Sequence, residues 1–150
     1  MVLFCYSTSI VYSQNITDYG FTYSKFINQT KIFIIQNIGN CEVVSNLSDF
    51  MGIRLTDNGI LRLYFDDIGL CKKYEYICFI TKPNSDICNT NLFSSEIQKL
   101  TKKQWKMDQE KTVLEKDILV TYSYFVKGTE RILITYFVGA IYSLSYEIVK

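Results

Sequence analysis

A period of two, carried by β-branched and aromatic residues, constrains this chain more than any other feature. In Ile60-Leu61-Arg62-Leu63-Tyr64-Phe65-Asp66, Leu61, Leu63 and Phe65 fall on one side and Arg62, Tyr64 and Asp66 on the other. A strand with one buried face requires that alternation. Tyr142, Leu144, Tyr146 and Ile148 alternate with Ser143, Ser145 and Glu147 in the same way. Ile118 to Val126 and Arg131 to Val138 are joined by Lys127-Gly128-Thr129-Glu130, a hairpin signal. Lys31 to Ile35, Glu42 to Ser45, Ile53 to Thr56 and Tyr74 to Thr81 bring the predicted strands to about eight. The 12 tyrosines and 10 phenylalanines agree, since aromatic side chains pack well on a pleated surface.

One segment departs from the period. Ser95-Glu96-Ile97-Gln98 reads as a capping box, and the spacing that follows predicts an amphipathic helix over residues 95–107 with Ile97, Leu100, Trp105 and Met107 inward. Lys99, Lys102, Lys103 and Lys106 lie mainly elsewhere on that helix, as a solvated face or as a weak contact for glycosaminoglycan. Met107 to Asp117 alternates charge signs and reads as a helix end followed by a polar connection. No internal repeat, low-complexity tract or linker divides the 150 residues, so one domain is expected. These pieces predict a mainly β fold, a two-sheet antiparallel β-sandwich with one helix on an outer face or edge.

The chemistry open to the chain is narrow. It has no histidine, which removes Ser-His-Asp and Cys-His nucleophile pairs and every histidine metal site. Its seven glycines never come closer than seven residues, so no phosphate-cradling loop or dinucleotide fingerprint is present. Asp66 and Asp67 are adjacent and point to opposite sides of a strand, which suits a strand end and its turn better than an acid–base pair. With 16 basic and 15 acidic residues there is no bulk pull toward nucleic acid. No enzyme activity, cofactor or metal is expected, and no apolar stretch is long enough for a transmembrane helix. Binding is what remains, and the side chains for it are Arg62, Tyr64 and Asp66 with Glu75 on the next strand. Tyr74 and Tyr76 share a face on that strand and read first as packing.

The ends and the cysteines point to a compartment. Residues 1–13, Met1 to Ser13, are uncharged, mostly apolar or small, and finish in Val11-Tyr12-Ser13, a secretory leader cleaved before Gln14, against the alternative of an ordinary first strand. The mature domain is then 14–150. Three sequons follow, at Asn15, Asn28 and Asn46. Loss of the leader removes Cys5 and leaves Cys41, Cys71, Cys78 and Cys88, an even set such as a secreted disulfide framework has. Four cysteines allow three connectivities; Cys41 with Cys71 and Cys78 with Cys88 would each close a short stretch between neighbouring strands. The alternative is four buried thiols in a reducing compartment.

The run Asn58-Gly59-Ile60-Leu61-Arg62-Leu63-Tyr64-Phe65, then Cys71, a further strand, the polar turn at Pro83 and Phe93-Ser94-Ser95-Glu96-Ile97-Gln98-Lys99-Leu100 resembles the order of a known family. It is similar to the secreted poxvirus immune-evasion domain, the β-sandwich of viral chemokine- and cytokine-binding proteins. The resemblance spans roughly residues 50 to 105, and the Asn, Ile, Lys, Tyr and Phe excess suits an AT-rich viral genome. It implies a secreted viral glycoprotein that sequesters a host chemokine or cytokine through a sheet face presenting Tyr64, Asp66 and Glu75. Two other readings stand beside it: a calycin-like barrel carrying a small hydrophobic ligand, and an intracellular viral interaction protein.

Overall fold

A computed structural model describes residues 21–55, 59–78, 97–137 and 140–149. The leader at 1–13, Asn15 and the capping box Ser95–Glu96 lie outside them. Eight strands form: β1 Cys41–Asn46, β2 Phe50–Leu55, β3 Gly59–Phe65, β4 Cys71–Cys78, β5 Lys106–Glu115, β6 Ile118–Lys127, β7 Glu130–Phe137 and β8 Ala140–Ile148. All eight belong to one antiparallel sheet in the order β1-β2-β3-β4-β8-β7-β6-β5. The fold is mainly β as expected, but a single open sheet stands where two packed sheets were predicted. Helices, not a second sheet, cover one of its faces. The strands do not close into a calycin-like barrel either, because β1 and β5 are left as the two edges.

The topology repeats although the sequence shows no repeat. Each half is a helical segment followed by a four-stranded meander, and the last strands of the two meanders, β4 and β8, pair antiparallel at the centre. At that seam Tyr74 lies opposite Tyr146, and their rings stack with centroids 5.4 Å apart and planes 16° apart.

Register lines up the buried face strand by strand. Met51, Leu63, Tyr74, Tyr146, Ile132 and Phe125 are successive cross-strand partners, and so are Ile53, Leu61, Tyr76, Leu144 and Ile134. All of these are buried, so Tyr74 and Tyr76 belong to the core, as their packing reading had it. Over these rows lie Phe26 of a short 3-10 turn (Ser24–Phe26), Ile34 of a helix at Lys31–Asn37, and Leu100 and Trp105 from the mid-chain segment.

Three elements differ from their sequence reading. Lys31 to Ile35, expected as a strand, is helical: the Thr30 hydroxyl accepts the Phe33 amide at 3.4 Å as an N-cap. Ile34 turns fully inward while Ile32, Phe33 and Ile35 are 70%, 40% and 43% exposed, which is one inward residue per turn instead of every second residue. The mid-chain helix occupies 97–102 in the described residues and stops well short of Met107. Gln104 takes φ 67, the Trp105 amide donates to the Leu100 carbonyl at 3.0 Å and the Gln104 amide to Thr101 at 2.9 Å. This is a Schellman ending, sealed by contact between buried Leu100 and Trp105. Met107 to Glu115, read as a connection, is most of edge strand β5. Nearly every residue on it is exposed, so it carries no apolar alternation to read.

Candidate functional site

The sheet face opposite the core carries the candidate site, and no described helix lies over it. Three cross-strand rows build it. The middle row runs Gly52, Arg62, Glu75, Ser145, Leu133, Tyr124 and Gln109. One flanking row holds Phe50, Tyr64, Lys73, Glu147 and Arg131, and the other Arg54, Ile60, Ile77, Ser143, Thr135 and Tyr122. Where the inner face alternates in apolar side chains, this one alternates in charge.

Three of its cations meet carboxylates across adjacent strands: Arg54 with Glu42 at 2.8 Å, Arg62 with Glu75 at 3.3 Å, and Arg131 with Glu147 at 3.4 Å. The last two occupy matching strand pairs of the two halves, β3–β4 and β7–β8. Such exposed pairs contribute about 0–1 kcal/mol each to stability, so their main effect is to fix the side chains in place. Tyr64 packs against Phe50 with ring centroids 5.4 Å apart, and the Lys73 ammonium lies 5.6 Å from its ring centre. Partial burial raises the Tyr64 phenol above its ordinary value, with the Glu75 carboxylate adding to the effect and Arg62 opposing it. Along the centre, Ser143 and Ser145 are only 3% and 7% exposed. They are small side chains set between those of β4 and β7 in the register.

Arg62, Tyr64 and Glu75 are therefore brought together on one face. Asp66 is not with them. It sits in the turn after β3, where its Oδ1 accepts the Leu70 amide at 2.9 Å and its other oxygen lies 3.3 Å from the Lys72 ammonium. That amide bond, more than any other contact, holds its carboxyl below the usual range. Asp66 shapes the β3–β4 turn, as the strand-end reading of Asp66-Asp67 expected. The sequence pattern missed the second Arg–Glu pair, because it depends on β7 pairing with β8 in the register that sets Arg131 opposite Glu147.

The cysteine scheme needs correction. Cys41 and Cys71 are both unpaired thiols. Two strands separate β1 from β4, a lateral distance of about 14 Å at the usual strand spacing, against the under-7 Å Cα separation a disulfide requires. Register also places Cys71 at the far end of β4, opposite Phe65. Burial pushes the Cys71 thiol up to about 11. The Cys78 side chain and Cys88 lie outside the described residues. Of the sequons, Asn28 and Asn46 are exposed and accept hydrogen bonds from Lys72 and Lys31 respectively, at 2.8 and 3.1 Å. The four lysines do not lie on one helix: Lys99 and Lys102 belong to the helix, Lys103 follows it, and Lys106 opens β5 in register with Val126.

A cleft of about 370 Å³ opens on the covered side, beside the β6–β7 hairpin, lined by Phe21, Ser24, Lys103, Trp105, Lys127, Glu130 and Tyr146. Among the described residues no three His, Cys, Asp or Glu side chains gather as metal ligands would. No described helix is long and apolar enough to cross a membrane.

The fold and this face define a mainly β chain whose one antiparallel sheet has a helix-covered side and, among the described residues, a charged side with no helix over it. No protein-family model matches the chain, and no curated protein matches it. Among solved structures it is similar to the DUF4309 family protein YjgB of Bacillus subtilis strain 168, with a TM-score of 0.53, 10% identity, and 81% of this chain and 80% of that one covered. At that identity the likeness concerns the fold alone.

Proposed function

We propose that this chain is a secreted binding protein that presents the sheet face bearing Arg62, Tyr64 and Glu75 to a folded partner, and that the partner is a host chemokine or cytokine. The observation that carries the binding reading is the Arg62–Glu75 pair beside Tyr64, held on the adjacent strands β3 and β4. Arginine and tyrosine bury large area with few rotatable bonds and recur where proteins recognise one another. Side chains held in place by cross-strand partners lose little freedom on docking. A charge-alternating face suits a protein surface that itself carries both signs. The ligand class rests on the sequence resemblance around residues 50 to 105, and secretion on the leader together with exposed Asn28 and Asn46. The single sheet departs from the sandwich of that family, so the fold adds no support to the ligand class.

The test is a binding panel of chemokines and cytokines against protein collected from a secreting eukaryotic host. At least one ligand is expected to bind, with Tyr64→Ala and Arg62→Ala each weakening it about tenfold. An empty panel, or binding indifferent to both substitutions, sinks the reading. A second reading, an intracellular interaction protein using the same face, is favoured by the thiols of Cys41 and Cys71 standing apart and unpaired. N-terminal sequencing separates the two: a mature product beginning at Gln14 supports secretion, and retention of Met1 supports the intracellular alternative.

A further inference from the structure

The aromatic rings beside the β4–β8 seam touch in series, and two of them can each give up one electron. Trp105 meets the Tyr146 ring edge-on with centroids 6.4 Å apart, and Tyr146 stacks on Tyr74 at 5.4 Å. Trp105 and Tyr146 are each 5% exposed and belong to the buried cluster, so close packing fixes their separation. At ring contact an electron passes from one to the other without either side chain having to move.

The proton has a destination as well. The Tyr146 hydroxyl donates to Glu130 Oε1, and Glu130 is only half-buried, so its carboxylate can hand a proton on to water. Burial first, and Glu130 second, hold the resting phenol protonated far above neutral pH. A phenol that loses an electron becomes a strong acid, and a radical cation in this apolar place would be costly. Moving the proton along a hydrogen bond already made to a carboxylate keeps the ring neutral. We propose that Trp105, Tyr146 and Glu130 form a one-electron relay: an electron taken from Trp105 by a small oxidising radical is replaced from Tyr146, whose phenolic proton moves to Glu130. The oxidising radical ends as its anion. The Trp105 indole releases its N–H proton to solvent when oxidised and regains one when reduced, and Tyr146 ends as a neutral phenoxyl. At neutral pH an indolyl radical is the stronger oxidant of the two, so the transfer runs toward tyrosine. The relay restores the single tryptophan of the chain and leaves the radical on a buried ring, where it does not meet a phenoxyl of another molecule.

The test is pulse radiolysis of the full chain with azide radical at neutral pH, following the indolyl and phenoxyl absorptions. The indolyl band is expected to decay as the phenoxyl band rises, in one first-order step whose rate is independent of protein concentration. Tyr146→Phe removes the electron donor, and Glu130→Gln removes the base while keeping an acceptor for the hydroxyl; each is expected to slow the step about tenfold. The second substitution is isosteric and half-buried, so it decides the matter even where the first loosens the ring cluster. Tyr124→Phe, in the row of the opposite sheet face, is expected to leave the rate unchanged. Absent transfer, a rate that scales with protein concentration, or a parent rate in Tyr146→Phe or Glu130→Gln would each overturn the relay.

Discussion

Two leucines of the same chain differ completely in what they hold. Leu63 is fully buried between Met51 and Tyr74 in its cross-strand row, so Leu63→Ala is expected to cost about 2–5 kcal/mol. Leu114 on the outer strand is 66% exposed, and Leu114→Ala should stay within about 0.5 kcal/mol. Urea unfolding followed by Trp105 emission checks both, and equal costs would contradict the difference in burial between the central and the edge strand. Cys71 makes a pH prediction. Its thiol is raised from the ordinary 9.0 to about 11 by burial, and burial raises the phenols of Tyr74 and Tyr146 in the same direction. Below pH 9 folded and unfolded chains both keep these protons, so stability is complete there. Above it the unfolded chain ionises first, and stability falls as the pH climbs toward 11. Urea midpoints at pH 8, 9, 10 and 11 should decline from the second point on; a flat series would place these groups in water. At pH 8 a thiol reagent should label partly exposed Cys41 well before Cys71.

At the scale of elements, the turns and the outer strand show where local sequence and fold disagree. Lys116 and Asp117 make the β5–β6 turn with φ of 48° and 67°, left-handed values that side chains with a Cβ resist. A two-residue turn with both φ positive prefers Asn-Gly. Lys116→Asn with Asp117→Gly should therefore stabilise the hairpin by about 1 kcal/mol, read as a higher urea midpoint. The β6–β7 turn needs no such help, because Gly128 supplies φ 60 where the hairpin signal placed it. Strand β5 bears Lys106, Asp108, Glu110, Lys111 and Glu115, and the register slips between Met107 and Gln109. Charges and a bulge both discourage a free edge from pairing with another chain. Replacing Asp108, Glu110 and Lys111 together with threonine should yield concentration-dependent association by light scattering, while the parent chain scatters less at every concentration.

For the molecule as a whole, the decisive contact is the pairing of β4 with β8, which closes strands about seventy positions apart in the chain. Each meander is local, so each can form early, whereas the central seam must wait for a long loop to close. A chain cut after Gly139 lacks β8 and with it the buried Leu144 and Tyr146. That truncation divides the sheet between β4 and β7. It is expected to lose cooperative unfolding and near-ultraviolet dichroism, and a sharp transition in it would mean the halves stand alone. The proposed binding face depends on the same seam, because its cross-strand rows run from β3 and β4 of one half into β8 and β7 of the other.

Period two in the sequence was enough to place β3, β6, β7 and β8, and to put Arg62 and Tyr64 on a face opposite Leu61 and Leu63, since alternation is a property of neighbouring residues. The hairpin at Gly128 was legible for the same local reason. Strand β5 was hidden because a solvated edge imposes no pattern, and the helix at Lys31–Asn37 because its KIFII composition favours strands while a single inward residue, Ile34, decides otherwise. One sheet or two, the distance from Cys41 to Cys71, and the meeting of β4 with β8 were settled only in three dimensions. Each depends on which distant strands share hydrogen bonds, and residues far apart in the chain carry no local mark of their partners.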